Sequence, residues 1–268
     1  GMSGFRNPLD GLDVYRALEE KLKKRGGPVL VTGLADAAKG QFAEAVLAAE
    51  RPLKLYVTYD ELRARELYED LLSFGADAMF YPAKDLLFFA ADVRSNELSA
   101  VRIDVRRRIA ECGSGFVVTT IDALMDKLET PERFLRRCLR IHASDRLDLG
   151  ETAKQLAALG YERSAEVDGR GQFSVRGGIL DVFPVTEETP VRIELWDDEI
   201  DSMRRFDPES QRSTEGLESV HIYPAREELL GGSDSFLRYF SGDKSLLILD
   251  EPARLLERAR EVEREYLA

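Results

Sequence analysis

The feature that most constrains the fold is a regular alternation of strand and helix patterns in the first half of the chain. Residues 28–34 ("PVLVTGL") and 52–59 ("PLKLYVTY") have the short apolar runs of buried strands, and each is followed by apolar residues at helical spacing. Asp60 stands where a helix N-cap is expected. Strands that alternate with helices form mainly parallel sheets covered by helices. The first half therefore predicts an α/β domain.

The pattern changes after about residue 126. The strands become short and polar on one side, with tight turns at "VTEETP" and "WDDEID" and one helix that ends at Gly160. Near the C-terminus, "SLLILDEPARLLERAREVERE" returns to a buried strand and a helix. We therefore predict an α/β domain split by an inserted antiparallel α+β domain, with residues 2–125, 126–226 and 227–268 as first part, insert and returning part.

Composition limits the classes of function. The 268 residues suit two domains, and a net charge of -12 works against a general surface for nucleic acid. No apolar run approaches the ~20 residues of a membrane span, so we expect a soluble protein without a membrane partner. Cys112 and Cys138 lack the spacing of a zinc site or a disulfide framework, which favours the reducing cytoplasm.

The two ends of the chain suggest a recombinant piece of a longer protein. Gly1 precedes Met2, as after removal of a tag, and the last residues stop inside a charged helical pattern. We expect a fragment.

The junction "VTGLADAAKGQ" is compared with the phosphate-binding P-loop, G-x-x-x-x-G-K-[ST]. Gly33 and Lys39 fit that pattern. Ala38 stands in place of the second glycine, and Gly40 replaces the hydroxyl residue that would bind magnesium. The junction predicts the relic of a nucleotide site, so we expect neither a cofactor nor ATP binding.

Asp250 and Glu251 follow a buried strand, where a carboxylate linked to magnesium would lie in such a site. The alternative is that both residues, with Pro252, only start the following helix. His142 and His221 lie in strand patterns without a nucleophile or ligand at a diagnostic spacing, so neither is assigned catalysis or metal binding.

After Lys154, the insert carries its positive charge on arginine alone. No lysine occurs between Lys154 and Lys244, although arginine is frequent there. Arginine suits bidentate pairing at partner surfaces, but ordinary surface ion pairs explain the same composition. Composition leaves both interpretations open.

The stretch "RGQFSVRGGILDVFP" combines arginine, glycine and strand patterns. Period-two geometry places Arg176 on the face opposite Phe173, away from the core. Gly177 and Gly178 suit a hairpin turn or a bulge, since glycine tolerates positive φ. Phe183 belongs to the core by default.

This stretch, followed by "VRIELWDDEIDSMRRFDPESQRS" and "VHIYPAREE", closely resembles the UvrB-like module that the excision-repair protein UvrB shares with the transcription-repair coupling factors, the Mfd family. The segments "FYPAKDLLFF" and "FVVTTIDALMDKL" resemble the same module in the same order. The altered P-loop, and a segment after Phe89 too short for the DNA-threading hairpin of UvrB, favour the coupling factors, in the N-terminal part of their chain.

The resemblance implies that the insert binds UvrA and that the flanking α/β parts form a degenerate P-loop, helicase-like domain without ATPase activity. By position, it implies contacts through Arg163, Arg176 and Phe183, with Arg170 beside them, and it turns Phe183 from core residue into exposed anchor. Ser174 departs from UvrB, which has arginine there. The family's DNA translocase and polymerase-binding domains lie elsewhere, as does a C-terminal domain that covers the UvrA-binding face.

The expected function is therefore a non-catalytic fragment that recruits UvrA in transcription-coupled nucleotide-excision repair, with little direct DNA binding. One alternative is a UvrB-like repair component that binds DNA in a nucleotide-dependent way. Another is an autoinhibitory module that contacts only the rest of its own chain.

Overall fold

The computed structural model describes residues 10–23, 29–32, 50–84, 92–227, 232–240, 242 and 244–267. The chain divides into two compact units. We call the first the parallel-sheet unit (residues 1–91, 105–132 and 231–268) and the second the antiparallel-sheet unit (residues 92–104 and 133–230). The predicted domain limits at residues 126 and 227 stay a prediction.

The helices and strands follow one another in the order α1 (Asp10–Lys23), β1 (Val29–Thr32), β2 (Leu53–Thr58), α2 (Glu61–Ser73), β3 (Ala78–Tyr81), α3 (Asp92–Cys112), β4 (Gly115–Thr120), α4 (Ile121–Leu124), α5 (Pro131–Arg136), β5 (Leu139–His142), α6 (Leu149–Ala158), β6 (Glu162–Arg163), β7 (Gln172–Arg176), β8 (Ile179–Val182), β9 (Val191–Trp196), β10 (Glu199–Phe206), β11 (Ser213–Gly216), β12 (Ser219–Ile222), a 3-10 helix (Phe236–Phe240), β13 (Ser245–Asp250) and α7 (Pro252–Leu267). None of the described helices is long and apolar enough to cross a membrane.

The parallel-sheet unit contains a five-stranded sheet in the order β1-β13-β2-β4-β3. All four strand pairings are parallel, as the alternating pattern predicts. Asp60 caps α2, because its carboxylate accepts a hydrogen bond from the backbone N–H of Arg63. Leu67 and Leu71 of α2 pack with Val118 and Ile248 of the sheet in one apolar cluster. The late strand β13 lies inside the sheet, between β1 and β2.

One strand prediction is too long. The apolar run "GFVVTTIDAL" at residues 115–124 predicts a strand, but β4 ends at Thr120 and a helical turn starts at Ile121. The Thr120 hydroxyl accepts a hydrogen bond from the backbone N–H of Ala123 at 3.4 Å. This N-cap bond satisfies an amide at the start of the turn, which ends the strand.

The antiparallel-sheet unit contains a six-stranded sheet in the order β11-β10-β9-β8-β7-β6 and a two-stranded sheet of β12 and β5. Every pairing is antiparallel except that of the short edge strand β6 with β7. Helix α6 is capped by Asp148 and is followed by Gly160 at a φ of +90°. The prediction of a parallel sheet and separate antiparallel sheets is confirmed, whereas the helicase-like relationship stays a prediction.

A buried phenol ties together the loops of the antiparallel-sheet unit. Tyr161 donates a hydrogen bond to the carbonyl of Tyr223 at 2.8 Å and accepts one from the backbone N–H of Val185 at 3.2 Å. Burial raises the pKa of Tyr161 above its ordinary range. The neutral phenol therefore satisfies two backbone groups that lie 38 residues apart in sequence.

Candidate functional site

The hairpin of β7 and β8 places Arg176 at the end of a strand and at the surface. Its two-residue turn needs glycine twice, for different reasons. Gly177 has a φ of +57°, which side-chain-bearing residues rarely adopt. At Gly178 an added Cβ would lie 3.1 Å from the carbonyl oxygen of Leu195, whose N–H bonds back to Gly178 at 2.8 Å. The glycine pair therefore makes the turn and lets it approach β9.

Arg176 is exposed over 56% of its side chain, as predicted, yet it faces a buried carboxylate. Its Nη2 lies 3.8 Å from Oδ2 of Asp181, whose side chain has no exposed surface. Residues 173–176 pair with 179–182 across the hairpin, so Arg176 and Asp181 lie on one face of the sheet, on adjacent strands. One terminal nitrogen of an exposed guanidinium thus lies beside a fixed negative charge.

Asp181 is fixed by a second arginine. Arg192 donates from Nε to Oδ1 at 2.8 Å and from Nη2 to Oδ2 at 2.9 Å, the bidentate geometry that gives the strongest carboxylate pairing. These hydrogen bonds to Asp181 raise the pKa of Arg192, although burial opposes the rise. Arg192 also bonds to Gln211 and stacks over the ring of Phe206 at 4.4 Å. Asp181 therefore has one defined orientation.

Phe183 is not exposed, and the expectation that it stands out as an aromatic anchor is wrong. Only 6% of its surface is accessible, and it packs with Val167 and Phe206 in a small apolar cluster. It lies two residues after Asp181 and so faces the same way. There, Val167 from the loop before β7 and Phe206 from the end of β10 cover it. Phe183 is a core residue, the default assignment for its pattern.

The remaining predicted contact residues lie near the edge of the same sheet. Arg163 is exposed on β6 and stands in register with Phe173, on the face opposite Arg176. Within the part of the chain that the structure describes, its side chain has no hydrogen-bond or ion-pair partner. Arg170 is exposed in the loop before β7, and its Nε donates to the carbonyl of Glu187 at 2.9 Å. The structure therefore places Arg163 on the face of the sheet opposite Arg176, and Arg170 in a loop at its edge.

Arg170 also lines a cavity of about 680 Å³ within the antiparallel-sheet unit. Its walls include Arg226, which is paired with Glu162 at 2.9 Å, and the apolar side chains of Val101 and Val185. The cavity is a depression in the surface beside the edge of the sheet.

The predicted relics of a nucleotide site lie in the parallel-sheet unit. Gly33 and Lys39 fall outside the described residues. Asp250 ends β13, is fully buried, and accepts hydrogen bonds from the Thr58 hydroxyl at 2.9 Å and from Nη2 of Arg63 at 3.0 Å. Arg63 Nε bonds to the other carboxylate oxygen. The carboxylate that would hold a metal is thus bound by an arginine.

The electrostatics of this site follow from that pairing. Burial alone would lower the pKa of Arg63, but the hydrogen bond and charge of Asp250 raise it above its ordinary range. Burial, followed by the Asp250 carboxylate, likewise raises the pKa of Tyr56. Glu251, at a φ of +47°, lies 3.8 Å from Nη1 of Arg63 and precedes Pro252, where α7 begins. Among the described residues, no cluster of His, Cys, Asp and Glu has the geometry of a metal site.

Sequence reasoning missed Asp181, Arg192 and Trp196. A charged residue inside the apolar run "GILDVF" was the available signal for Asp181, because such residues are buried only when paired. Its partner on β9 cannot be identified without the strand register. Trp196 is 80% exposed at the end of β9, and its period-two alternation with Leu195 on the core face was the available signal that it points outward.

Comparison with known proteins identifies the antiparallel part of the chain. Residues 139–227 match the family model of the UvrB interaction domain. They run from β5 past the end of β12 and include the hairpin of Arg176 with its Asp181 and Arg192 partners.

Most of the chain is similar to longer bacterial proteins. It is 34% identical to the transcription-repair-coupling factor of Bacillus subtilis over 82% of this chain and 19% of that protein. It is 33% identical to the same factor of Staphylococcus aureus, strain bovine RF122, over 75% of this chain and 17% of that protein. The chain spans about a fifth of the length of the curated relatives it matches. It therefore contains a UvrB interaction domain and belongs, as the counterpart of one part of those longer proteins, to the transcription-repair-coupling factor family.

Proposed function

We propose that this chain is a docking piece of transcription-coupled nucleotide-excision repair that recruits UvrA through its antiparallel-sheet unit, without catalysing a reaction itself. The match to the UvrB interaction domain over residues 139–227 supports the assignment of partner binding to this unit. The similarity to transcription-repair-coupling factors supports the repair pathway.

The observation that carries the proposal is that Arg176 is exposed and at the same time lies beside a buried carboxylate. More than half of the side chain is accessible to a partner, while buried Asp181 lies 3.8 Å from one guanidinium nitrogen. Holding an arginine in place lowers the conformational entropy that binding removes. Its outward nitrogens can then pair with a carboxylate of UvrA in bidentate fashion. Interface arginines of this kind are frequent hot spots.

Arg163 and Arg170 extend the proposed contact along the edge of the sheet. Arg163 has no side-chain partner among the described residues and is therefore available to a partner. Arg170 is held by the carbonyl of Glu187 but stays exposed. Phe183 supports the surface from beneath rather than contacting the partner.

We further propose that the chain works without a nucleotide. The pairing of Asp250 with Arg63 supports this, because a metal at Asp250 would have to displace a guanidinium bonded to both carboxylate oxygens. The net charge of -12 supports the proposal that DNA is a minor ligand. Saturable binding of magnesium-ATP in calorimetry, lost on Lys39→Ala, would overturn this part and favour a UvrB-like, nucleotide-dependent component.

The test of the partner is calorimetric titration of purified UvrA with the chain and with Arg176→Glu. We expect the wild-type chain to bind and the variant to bind at least about 30-fold more weakly, the loss typical of a hot spot. Lys154→Glu, a charge reversal at an exposed position on α6 of the same unit, is the matched control and should bind as the wild type does.

Two results would contradict the proposal in different ways. Equal binding by Arg176→Glu would remove the site assignment while leaving UvrA as the partner. No binding by the wild-type chain would remove UvrA as the partner and favour a module that contacts only the rest of its own protein.

A further inference from the structure

Trp196 is the most exposed large apolar side chain among the described residues. It is the sole tryptophan of the sequence, and 80% of its surface is accessible. Tryptophan is highly buried on average, and it is enriched at the centres of protein interfaces. Its exposure at the end of a well-paired strand therefore needs a reason outside the core.

The strand register places Trp196 on the same face as Arg176. Arg176 pairs with Ile179, Ile179 pairs with Glu194, and Trp196 lies two residues beyond Glu194 on β9. Residues directly opposite one another, and residues two apart on one strand, share a face. Strand spacings put the two residues roughly 12 Å apart, well within one interface patch.

The turn of the neighbouring hairpin leaves Trp196 uncovered. Leu195 bonds to Gly178, so the glycine pair of the β7–β8 turn lies beside the end of β9. Glycine has no side chain with which to cover the indole. The same turn that places Arg176 at the surface thus also keeps Trp196 accessible.

The backbone that carries Trp196 is held in place. The turn after it contains Asp197 at a φ of +57°, and the carbonyl of Asp198 accepts a hydrogen bond from Leu147 at 2.8 Å. Arg146 forms an isolated β-bridge with Glu199, and its side chain bonds to the Glu199 carboxylate at 2.9 Å. An aromatic side chain on a fixed backbone loses little entropy when it is buried in a complex.

We propose that Trp196 is the aromatic anchor of the UvrA-binding surface, a role that the family resemblance implied for Phe183. The proposal rests on the proposed function. Trp196 fills an apolar pocket of the partner, and the charges around it define the rim of that pocket. Glu194 lies on the same face as Trp196, and Glu199 is the cross-strand neighbour of Trp196. The rim of the partner's pocket is therefore basic where it meets these two carboxylates and acidic where it meets Arg176. The partner surface is therefore apolar at its centre with charges of both signs around it.

Calorimetry with purified UvrA tests the anchor with three variants. Trp196→Ala should weaken binding about 30-fold or more, as for an interface hot spot, and Trp196→Phe should restore most of the affinity. Leu62→Ala removes another exposed apolar side chain, 65% accessible on α2 of the other unit, and should bind like the wild type. Unchanged affinity of Trp196→Ala, with binding lost in Arg176→Glu, overturns the anchor but leaves the proposed function intact.

A spectroscopic signal gives an independent readout. Because the chain has one tryptophan, biosynthetic labelling with 5-fluorotryptophan gives one fluorine resonance, from Trp196. Unlabelled UvrA should shift or broaden that resonance. An unchanged resonance at saturating UvrA overturns the anchor, as does a resonance that changes with the concentration of the labelled chain alone, which would assign Trp196 to self-association. If the wild-type chain does not bind UvrA at all, the proposed function fails, and the anchor fails with it.

Discussion

The two units each contain a strand with the tripeptide Ile-Leu-Asp, and in each the aspartate is fully buried and paired with an arginine. In the parallel-sheet unit, Asp250 is bound by Arg63 and by the hydroxyl of Thr58. In the antiparallel-sheet unit, Asp181 is bound by Arg192 and also faces the exposed Arg176 at 3.8 Å. The first carboxylate is paired with a single, largely buried arginine, whereas the second also faces a guanidinium that is mostly exposed.

The difference teaches what a buried carboxylate can do once it is paired. A buried charge must have a partner, because the cost of leaving water is otherwise too large. At Asp250 that requirement fills the position where a metal ligand would be expected. At Asp181 the same requirement is met by Arg192, and the carboxylate also attracts the second guanidinium, that of Arg176. The two sites thus share a motif and an ion pair, but only the second has an exposed cation in contact with its carboxylate.

Of these two pairs, the larger effect is expected at Asp250, whose buried carboxylate is paired with Arg63 and has no second arginine in an ion pair among the described residues. Arg63→Ala leaves Asp250 buried and uncompensated, and we expect it to destabilise the parallel-sheet unit by about 4 kcal/mol. Hydrogen exchange of peptides from β2 and β13, followed by mass spectrometry, measures the change locally. Arg65→Ala breaks an exposed pair with Glu61 on the same helix and should cost below about 0.5 kcal/mol. Similar costs for the two variants would show that Asp250 does not depend on Arg63.

Phe183→Ala tests whether the covered end of the antiparallel sheet is core or contact. We expect a loss of about 3 kcal/mol in the free energy of unfolding, because the substitution leaves a cavity beside Val167 and Phe206. Phe183→Leu keeps most of the volume and should retain both stability and UvrA binding. Peptides from β7 and β8 report the stability by hydrogen exchange. A stable Phe183→Ala chain that no longer binds UvrA would restore the idea of an exposed anchor.

Arg192→Ala should cost less than Arg63→Ala, at about 2 kcal/mol, because Arg176 remains near Asp181 and neutralises part of its charge. A double-mutant cycle with Arg176→Ala measures this compensation. The two substitutions should be non-additive, with the double variant less stable than the sum of the single effects. The measurement is urea unfolding of the four chains of the cycle, monitored through the hydrogen exchange of peptides from β8. Simple additivity would mean that Arg176 is too far from Asp181 to stabilise it.

The smallest effect concerns one buried phenol in each unit. Burial raises the pKa of both Tyr56 and Tyr161, and at Tyr56 the Asp250 carboxylate adds to it. Above the ordinary phenol pKa of about 10, the unfolded chain loses the proton that the folded chain keeps, so stability declines as the pH rises. Each phenol should contribute a loss on the order of 1 kcal/mol at a pH of about 11.

Urea unfolding monitored by circular dichroism, at several pH values between pH 9 and pH 11, measures this dependence of stability on pH. Tyr161→Phe should flatten the decline for the antiparallel-sheet unit, and Tyr56→Phe should flatten it for the parallel-sheet unit. If neither variant changes the slope, the alkaline loss of stability comes from other groups.

Much of the local structure follows from residues close together in sequence. Asp60 and Asp148 accept hydrogen bonds from amides three residues later, and Gly177 supplies the positive φ that its turn requires. The glycine pair could be recognised because its constraint is local. Phe183 could not be placed with the same certainty, because its burial depends on Val167 and Phe206, which lie 16 and 23 residues away.

The sequence by itself determined the parallel and antiparallel halves, the outward face of Arg176 beside its glycine pair, and the family through long matching segments. These depend on periodicity, turn chemistry and residue identity, which act over short stretches. Tertiary structure alone decided that Asp250 pairs with Arg63, that Asp181 serves Arg192 and Arg176, and that Trp196 rather than Phe183 is exposed. Those outcomes depend on strand register and on which loops cover which face, and both bring together residues that the chain keeps far apart.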